Sequence, residues 1–291
     1  MRPAGLLRLF LSIAAAVALT ACSGSATSHR APAQAPAPPS YYLALGDSLS
    51  QGVQPDASGA SVKTPDGYPD QVYAALRTSH PTLELVKLGC PRETTSTMIN
   101  GGICHYQEGS QLKAAVTFLH ARRGRVLLVT IDIGANDPEA CGSQPGPTQL
   151  ATCAVRGIPA AVTHLTTIMS SLKAAAPDVR IVGMTYYLPA LAEWRNGLPG
   201  HLVAWTAERL GAAYNTMLAR VYTSSGARVA DVFGAFHTSD FAVQGTTPRN
   251  VALLCQWTWA CAAPPRGPNQ HANQAGYEVI ARTFLQASGL R

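Results

Sequence analysis

The sequence of 291 residues predicts an α/β fold: a single three-layer α/β/α domain around a five-stranded, mostly parallel sheet. Two observations predict it. Strand-like and helix-like segments alternate from Tyr41 onward, which is typical of a parallel sheet with crossover helices. The segment 126–133 is apolar throughout, as expected of a strand covered on both faces. The composition, with 47% hydrophobic and 13% charged residues, supports a sizeable core.

Each element follows from its local pattern. Strands are predicted at 41–45, 83–88, 126–133, 180–186 and 228–232. Helices are predicted at 68–76, 108–121, 158–176, 201–222 and 273–288. Pro81 and Pro177 stand just before the second and fourth strands, where proline ends a helix.

Long irregular loops are predicted at 51–67, 140–157 and 235–270. Because they follow strands, we expect them at the carboxyl edge of the sheet, where open α/β sheets bind ligands. The third loop contains Trp257 and Trp259. Either these rings line a pocket at this edge or they pack structurally.

The first 21 residues have the pattern of a targeting signal. Arg2 and Arg8 precede an apolar stretch, 9–19, that is too short to span a bilayer comfortably. The motif Leu-Thr-Ala-Cys, ending at Cys22, is that of a lipoprotein signal peptide with an acylated Cys22. An ordinary signal peptide, cleaved nearby, is the alternative.

Residues 22–40 are rich in alanine, proline and serine and are predicted to form an extended tether. The folded domain is then 41–291. We expect an exported protein, held by a lipid anchor at the outer face of the cytoplasmic membrane or released outside the cell. Without residues 1–21 the chain keeps 20 basic and 16 acidic side chains, a net charge of +4. The excess is scattered, so we expect no nucleic-acid partner, and we expect a monomer.

The first strand ends in Gly46-Asp47-Ser48, which places the Ser48 hydroxyl at the carboxyl edge of the sheet. This motif alone does not decide the function, since Gly-Asp-Ser is also an ordinary turn and helix N-cap. Three later motifs add to it. Gly89 follows the second strand, Asn136 follows the third in Gly-Ala-Asn-Asp, and His271 precedes the last helix.

Serine, glycine, asparagine and histidine in this order and near these separations resemble the four blocks of the SGNH (GDSL-type) hydrolases. The resemblance extends from about Tyr41 to the end. It is closest to the secreted, disulfide-bonded lipases and esterases of Gram-positive bacteria.

The resemblance implies a serine hydrolase that cleaves carboxylic esters through an acyl-enzyme on Ser48, with His271 as general base. The oxyanion hole would comprise the N–H groups of Ser48 and Gly89 and the amide of Asn136. A small-molecule or lipid acyl ester is the implied substrate, and no cofactor or metal is implied. The sequence argues against an α/β-hydrolase elbow, because that motif needs glycine where Ser50 stands and no other serine fits it.

One position departs from the family pattern. Pro268 stands three residues before His271, where the family carries an aspartate. The group that orients His271 is therefore expected to be a backbone carbonyl of residues 256–268, a distant acid such as Asp240, or nothing. We expect a pKa near 6.5 for such a base. A non-catalytic or weakly active binding lipoprotein, or a carbohydrate O-deacetylase, remains an alternative.

Six cysteines follow Cys22, and they fall as three close pairs in Gly/Pro-rich loops. In an exported protein, disulfides are the default state of such pairs. The spacing contains no Cys-x-x-Cys or His-Glu-x-x-His motif, which argues against a metal site. Nearest-neighbour pairing, which the related secreted lipases share, gives Cys90–Cys104, Cys141–Cys153 and Cys255–Cys261.

Overall fold

The computed structural model describes residues 40–138 and 147–290, without the side chains of residues 147–156 and of Gln244. Five parallel strands form the central sheet, in the order β2-β1-β3-β4-β5. Their bounds are β1 Ser40–Gly46, β2 Leu83–Lys87, β3 Val126–Asp132, β4 Ile181–Met184 and β5 Arg228–Ala230.

The strand order reverses between β1 and β3, because the chain adds β2 on one side of β1 and all later strands on the other. Loops that leave two such strands diverge and open a crevice at the carboxyl edge. Gly46, the last residue of β1, pairs with Asp132, the last residue of β3. The segments that follow these two residues, which contain Ser48 and Asn136, therefore start side by side at the crevice.

Helices cover the sheet, as predicted for a three-layer domain. In chain order the described helices are α1 Tyr68–Leu76, α2 Thr95–Asn100, α3 Gln111–Ala121, α4 Pro147–Ala175, α5 Gly197–Ser224, α6 Val232–Ala235, α7 Arg249–Trp257 and α8 Gln274–Ser288. Helix α1 packs against α8, while α4 packs against α3 and α5. These elements belong to one compact unit, residues 37–291.

The core lies on both faces of β1, whose residues Tyr42 to Leu45 are completely buried. Between α1 and α8, the rings of Tyr68 and Phe284 stack with their centroids 4.5 Å apart. In the part of the chain that the structure describes, no helix combines the length and apolar character needed to cross a bilayer.

Two predicted loops are partly helical. The prediction of an irregular 140–157 is wrong from Pro147 onward, since α4 already begins there and runs through Gly157 and Pro159. Glycine and proline are breaker signals, and here tertiary packing overrides them. Helix α7 lies within the predicted loop 235–270. It begins after Pro248 and has no side-chain cap, so the sequence signal that normally predicts the start of a helix is missing.

Candidate active site

Strand β1 ends at Gly46 in a turn that only glycine can make. Its φ is +130°, and a Cβ at this position would overlap the carbonyl oxygen of Asp132. Ser48 follows two residues later, before the 3-10 turn Leu49–Gln51, and its exposed fraction is only 8%. The Gly-Asp-Ser motif therefore belongs to the junction of two paired strands and is not a generic surface turn.

A buried carboxyl group, Asp132, holds the backbone of this turn. Its Oδ2 accepts hydrogen bonds from the N–H groups of Asp47 (3.3 Å) and Ser50 (3.2 Å). Its Oδ1 accepts from the hydroxyl of Tyr68 at 2.5 Å. Sequence reasoning treated Asp132 only as part of an apolar strand. The one signal for its role was a carboxylate within that buried run.

The other N–H groups of the turn are also satisfied, with one exception. The N–H of Gly46 donates to Oε1 of Gln111 (2.7 Å), and that of Leu49 donates to Oδ1 of Asp47 (3.0 Å). Among the described residues, the N–H of Ser48 has no acceptor. A fixed turn with one unused donor at the serine is what an oxyanion hole requires.

Burial changes the acidity of the Asp132 carboxyl group beneath the turn. Asp132 is completely buried, and burial raises its pKa well above the usual range. The neighbouring Asp47 carboxylate raises the pKa of Asp132 further, because two like charges at this distance repel each other. Asp132 therefore binds a proton at a higher pH than an exposed aspartate does.

Gly89 packs against the serine turn, so closely that a Cβ would overlap the Ser50 hydroxyl. The next residue, Cys90, donates its N–H to the carbonyl of Gly46 (2.9 Å). The disulfide Cys90–Cys104 holds this loop. Gly89 lies next to the turn, as the sequence predicts, although it is not among the described residues that line the cavity.

Asn136 begins a helical segment after β3, and its amide Nδ2 donates to the carbonyl of Glu93 at 2.9 Å. The side chain of Glu93 is 1% exposed and accepts from Nε2 of Gln111 at 3.0 Å. The same nitrogen also donates to the carbonyl of Gly46 at 2.9 Å. One hydrogen-bond network thus joins Asn136, the loop after β2 and the turn of Ser48.

His271 lies on a short extended segment before α8. Its carbonyl accepts the N–H of Trp259 (3.0 Å), and the carbonyl of Trp259 accepts the N–H of Asn269 (3.0 Å). The disulfide Cys255–Cys261 closes the loop that contains Trp259. The disulfide loop therefore serves as the backbone support for the histidine.

The side chain that contacts the imidazole belongs to Asn269. Its Oδ1 lies 2.7 Å from Nδ1 of His271 and 3.0 Å from the backbone N of His271. A backbone N–H can only donate, so the amide atom that faces it is the oxygen. This oxygen in turn makes Nδ1 the protonated ring nitrogen. Nε2 is then the nitrogen that can accept a proton.

The expected orienting groups of His271 are corrected accordingly. Asp240 pairs with Arg249 at 3.2 Å and caps the N–H of Ala242, so it does not serve the histidine. A backbone carbonyl is not the partner of Nδ1 either. The sequence signal that could have found Asn269 is its place two residues before His271, because asparagine accepts the N–H two residues on.

Burial also changes the acidity of the histidine. It lowers the pKa of His271 from 6.5 to about 4, because the buried imidazolium loses its hydration. The expectation of a near-ordinary pKa is therefore wrong. Asn269 is neutral, so it orients the ring but stabilises a positive charge on it less than a carboxylate would.

Ser48 and His271 line the same cavity, as does Asn136. The cavity has a volume of about 430 Å³, within the range of small-molecule sites. Apart from the polar groups at its base, its walls are mostly apolar and come from α5 and from the segment after β4. These wall residues include Tyr186, Tyr187, Leu188, Pro189, Ala207 and Leu210.

The two tryptophans of the disulfide loop are structural, so the pocket role considered for them is wrong. Trp257 packs edge-on against Phe236 with ring centroids 5.1 Å apart. Trp259 donates its indole N–H to Gln54 (3.3 Å), and the Arg266 guanidinium lies over its ring. Neither is among the described residues that line the cavity.

Residues 44–279 match the sequence profile of the GDSL-like lipase/acylhydrolase family, which covers most of the chain and all four motifs. The chain belongs to this family. This lipase/acylhydrolase is a carboxylic ester hydrolase, as the motifs predict. None of the curated proteins is significantly similar to it in sequence.

Solved structures share the fold of this lipase/acylhydrolase at low sequence identity. An extracellular lipase from Streptomyces rimosus matches with a TM-score of 0.55 and 18% identity, over 85% of this chain and 99% of its own. Phospholipase A1 from Streptomyces albidoflavus NA297 matches with a TM-score of 0.55 and 20% identity, over 86% and 99%. An acetylxylan esterase from Geobacillus stearothermophilus matches with a TM-score of 0.53 and 18% identity, over 87% and 96%.

Two of the three predicted disulfides, Cys90–Cys104 and Cys255–Cys261, are present. Disulfides form in oxidising surroundings, which indicates that this lipase/acylhydrolase folds outside the cytoplasm. The predicted pair Cys141–Cys153 and the predicted lipidation site Cys22 lie outside the described residues and side chains. Both remain predictions.

Proposed function

We propose that the enzyme hydrolyses carboxylic esters through an acyl-enzyme on Ser48, with His271 as general base and Asn269 as its positioning residue. The supporting observation is that Ser48 and His271 line one cavity, while Asn269 fixes the proton of the imidazole on Nδ1. This tautomer leaves Nε2 to accept the serine proton. A Cys-His-Asn arrangement in papain-like proteases uses an asparagine in the same way.

The reaction then follows from these roles. The Ser48 oxygen attacks the ester carbonyl carbon, while Nε2 of His271 takes the hydroxyl proton. The imidazolium returns this proton to the leaving alkoxide, and the acyl group stays on Ser48. Water attacks the acyl-enzyme with His271 again as base, which releases the carboxylic acid and restores the serine.

The oxyanion of both tetrahedral intermediates needs fixed donors. We assign this role to the N–H of Ser48, the N–H of Gly89 and the amide of Asn136. The unused N–H of Ser48 supports the first, and the network through Glu93 supports the position of the third. Loss of one such donor typically lowers turnover by about 10²–10³-fold.

A serine-directed label tests the nucleophile. Ser48→Ala should keep the fold, abolish hydrolysis of p-nitrophenyl butyrate and prevent labelling by a fluorophosphonate. Ser50→Ala is the matched control, since it removes a hydroxyl from the same turn and should remain labelled. Labelling of any serine other than Ser48 in the parent enzyme would refute the assignment.

We further propose that the preferred substrates carry apolar acyl chains that are esterified to lipids or to small alcohols. The apolar walls of the cavity support this choice. A series from p-nitrophenyl acetate to octanoate should show kcat/KM rising with chain length. Ala207→Leu, which fills part of the wall, should lower octanoate hydrolysis and spare acetate.

The competing substrate class is an acetylated carbohydrate. A preference for acetylated xylooligosaccharides or p-nitrophenyl acetate over the longer esters would replace the lipid proposal by a carbohydrate O-deacetylase. Hydrolysis of none of these esters, with Ser48 unreactive toward the label, would favour a binding protein with the same fold.

We also propose that the mature chain begins at an acylated Cys22, with residues 22–40 as a tether and 41–291 as the catalytic domain. The signal pattern of residues 1–21 supports this order. The protein should incorporate radiolabelled palmitate and sediment with membranes, and Cys22→Ser should abolish both. A mature protein wholly in the medium, with an unmodified N-terminus, would contradict the anchor.

A further inference from the structure

The first half of α5 exposes apolar side chains where a soluble helix normally exposes polar ones. Leu198 is 78% exposed, Leu202 66% and Trp205 51%, and they follow one another at helical spacing. Val203 (48%) and Leu210 (61%) extend the set. We name these five side chains the α5 apolar face. Contiguous exposed apolar surface on a soluble protein marks an interaction site.

The first half of α5 has few charged residues, whereas the exposed side of a solvated helix normally has many. Between residues 197 and 213 only Glu208 and Arg209 are charged. Glu208 is buried and accepts a hydrogen bond from Ser239. The Arg209 side chain is 89% exposed, although its Nε lies 3.9 Å from Oε2 of Glu208, a long ion pair that contributes little at such exposure. The exposed side of this half-helix thus carries one charge, and that charge is positive.

The α5 apolar face is preformed, because an aromatic cluster supports it from beneath. The Trp194 ring stacks on His201 with centroids 3.8 Å apart. It also contacts Trp205 edge-on at 5.9 Å and Phe241 at 5.6 Å. Trp205 is therefore held in place although about half of the residue's surface is exposed.

The α5 apolar face is continuous with the mouth of the catalytic cavity. Leu210 belongs to both, since it lines the cavity and is still 61% exposed. Ala207 and Gly211, on the neighbouring helical positions, also line the cavity. A surface bound to the face would therefore lie against the entrance through which an acyl chain reaches Ser48.

We propose that the α5 apolar face docks on the surface of an anionic phospholipid bilayer. Leucine and valine side chains insert at the boundary between headgroups and acyl chains, and tryptophan is favoured at the same depth. The exposed Arg209 complements anionic headgroups, as does the net charge of +4 of the chain without residues 1–21. The docking itself requires no catalysis and so does not depend on the proposed function.

Vesicle flotation tests the proposal with residues 37–291, the compact unit, so that no acylated cysteine contributes. The parent protein carries Ser48→Ala, which prevents consumption of the lipid. It should bind vesicles of phosphatidylcholine with phosphatidylglycerol more tightly than vesicles of phosphatidylcholine alone. Brominated lipids should quench tryptophan fluorescence, and Trp205→Phe should remove most of this quenching.

The double variant Leu198→Glu/Leu202→Glu should weaken binding to the anionic vesicles about tenfold or more. The matched control is Val62→Glu/Ile103→Glu, which places the same two charges on apolar residues outside the face that are 39% and 37% exposed, and which should bind like the parent. Arg209→Gln should reduce the preference for anionic over neutral vesicles. When Ser48 is restored, the double variant should hydrolyse soluble p-nitrophenyl butyrate at the rate of the enzyme that has no substitution.

Equal vesicle binding by parent and double variant would overturn the proposal, as would absence of binding by the parent. Light scattering that shows a parent dimer, separated by the double substitution, would identify a second copy as the occupant instead. Vesicle binding by an enzyme that fails to hydrolyse any soluble ester would leave the docking surface intact and refute the proposed function.

Discussion

The side-chain oxygen of Asn269 lies 2.7 Å from Nδ1 of His271, at the place where Pro268 removes the carboxylate that the family pattern would supply. The same oxygen accepts the backbone N–H of His271 at 3.0 Å, which fixes both the amide and the tautomer of the ring. The base is thus oriented by a neutral group. A full triad would add electrostatic support for the imidazolium, which asparagine cannot give.

Removal of the Asn269 amide should slow the enzyme without unfolding it. We expect Asn269→Ala to lower kcat/KM about tenfold, which corresponds to about 1.4 kcal/mol, because the ring loses the bond that selects its tautomer. Asp240→Asn is the control and should change the rate less than twofold. A tenfold loss in that control, with Asn269→Ala unaffected, would contradict the assignment.

Asn269→Asp separates positioning from simple packing. A carboxylate at this position favours the imidazolium, so it should raise the pKa of His271 and move the acid limb of the pH–rate profile to higher pH. A pH profile identical to that of the parent would show that residue 269 does not act on the ring.

The parent enzyme should remain active well below neutral pH. The neutral imidazole is the competent base, and burial lowers the pKa of His271 to about 4, so the ring stays neutral at pH 5–6. We expect kcat/KM to rise with pH through an apparent pKa near 4 and then to level off. Initial rates with p-nitrophenyl butyrate across this pH range check the prediction. An apparent pKa near 6.5 in the pH–rate profile would contradict it and would show that the imidazole is in contact with water.

Loss of Asp132 should destabilise the fold as well as the turn of Ser48. Asp132→Ala leaves the N–H of Ser50 without its acceptor and removes the shorter of the two hydrogen bonds of the Tyr68 hydroxyl. The Asp47 N–H keeps only the backbone carbonyl of residue 132 as its acceptor. We expect a loss of about 2–4 kcal/mol in the free energy of unfolding, measured in urea. Asp132→Asn should lose less, since it keeps an acceptor and removes the repulsion from Asp47.

The exposed Asp66 provides the comparison for that experiment. Asp66→Ala should change the free energy of unfolding by less than about 0.5 kcal/mol. An Asp132→Ala protein as stable as the Asp66→Ala protein would show that the buried acceptor contributes little.

Opening the Cys255–Cys261 disulfide should act on His271 through the loop that supports its backbone. The closed loop is short, so we expect the double alanine variant to lose about 2 kcal/mol of stability. Its kcat/KM should fall at a temperature where the protein is still folded. Unchanged activity would mean that the backbone hydrogen bonds of Trp259 are enough to hold the histidine.

The third predicted disulfide, Cys141–Cys153, has its own test. Peptide mapping of the parent enzyme without reduction should recover this pair.

The sequence by itself determined the sheet and the residues at its edge. Strand β1 and Gly46-Asp47-Ser48 follow from an apolar run ended by a glycine, and Asn136 and His271 follow from motif order. Such features depend on neighbours in the chain, so a local pattern suffices to locate them. Helix α7 escaped prediction, because it has neither a side-chain cap nor a long apolar period.

Only the tertiary structure decided the acidity and the hydrogen-bond partners of these residues. The pKa of His271 depends on burial by segments distant in sequence, and Asp132 acts because the parallel pairing of β1 and β3 places it under the serine turn. Apolar residues at helical spacing, such as Leu198, Leu202 and Trp205 of α5, normally face the core. Which side of a helix packs inward depends on its partners, and here the charged Glu208 is buried while Leu198 and Leu202 face solvent.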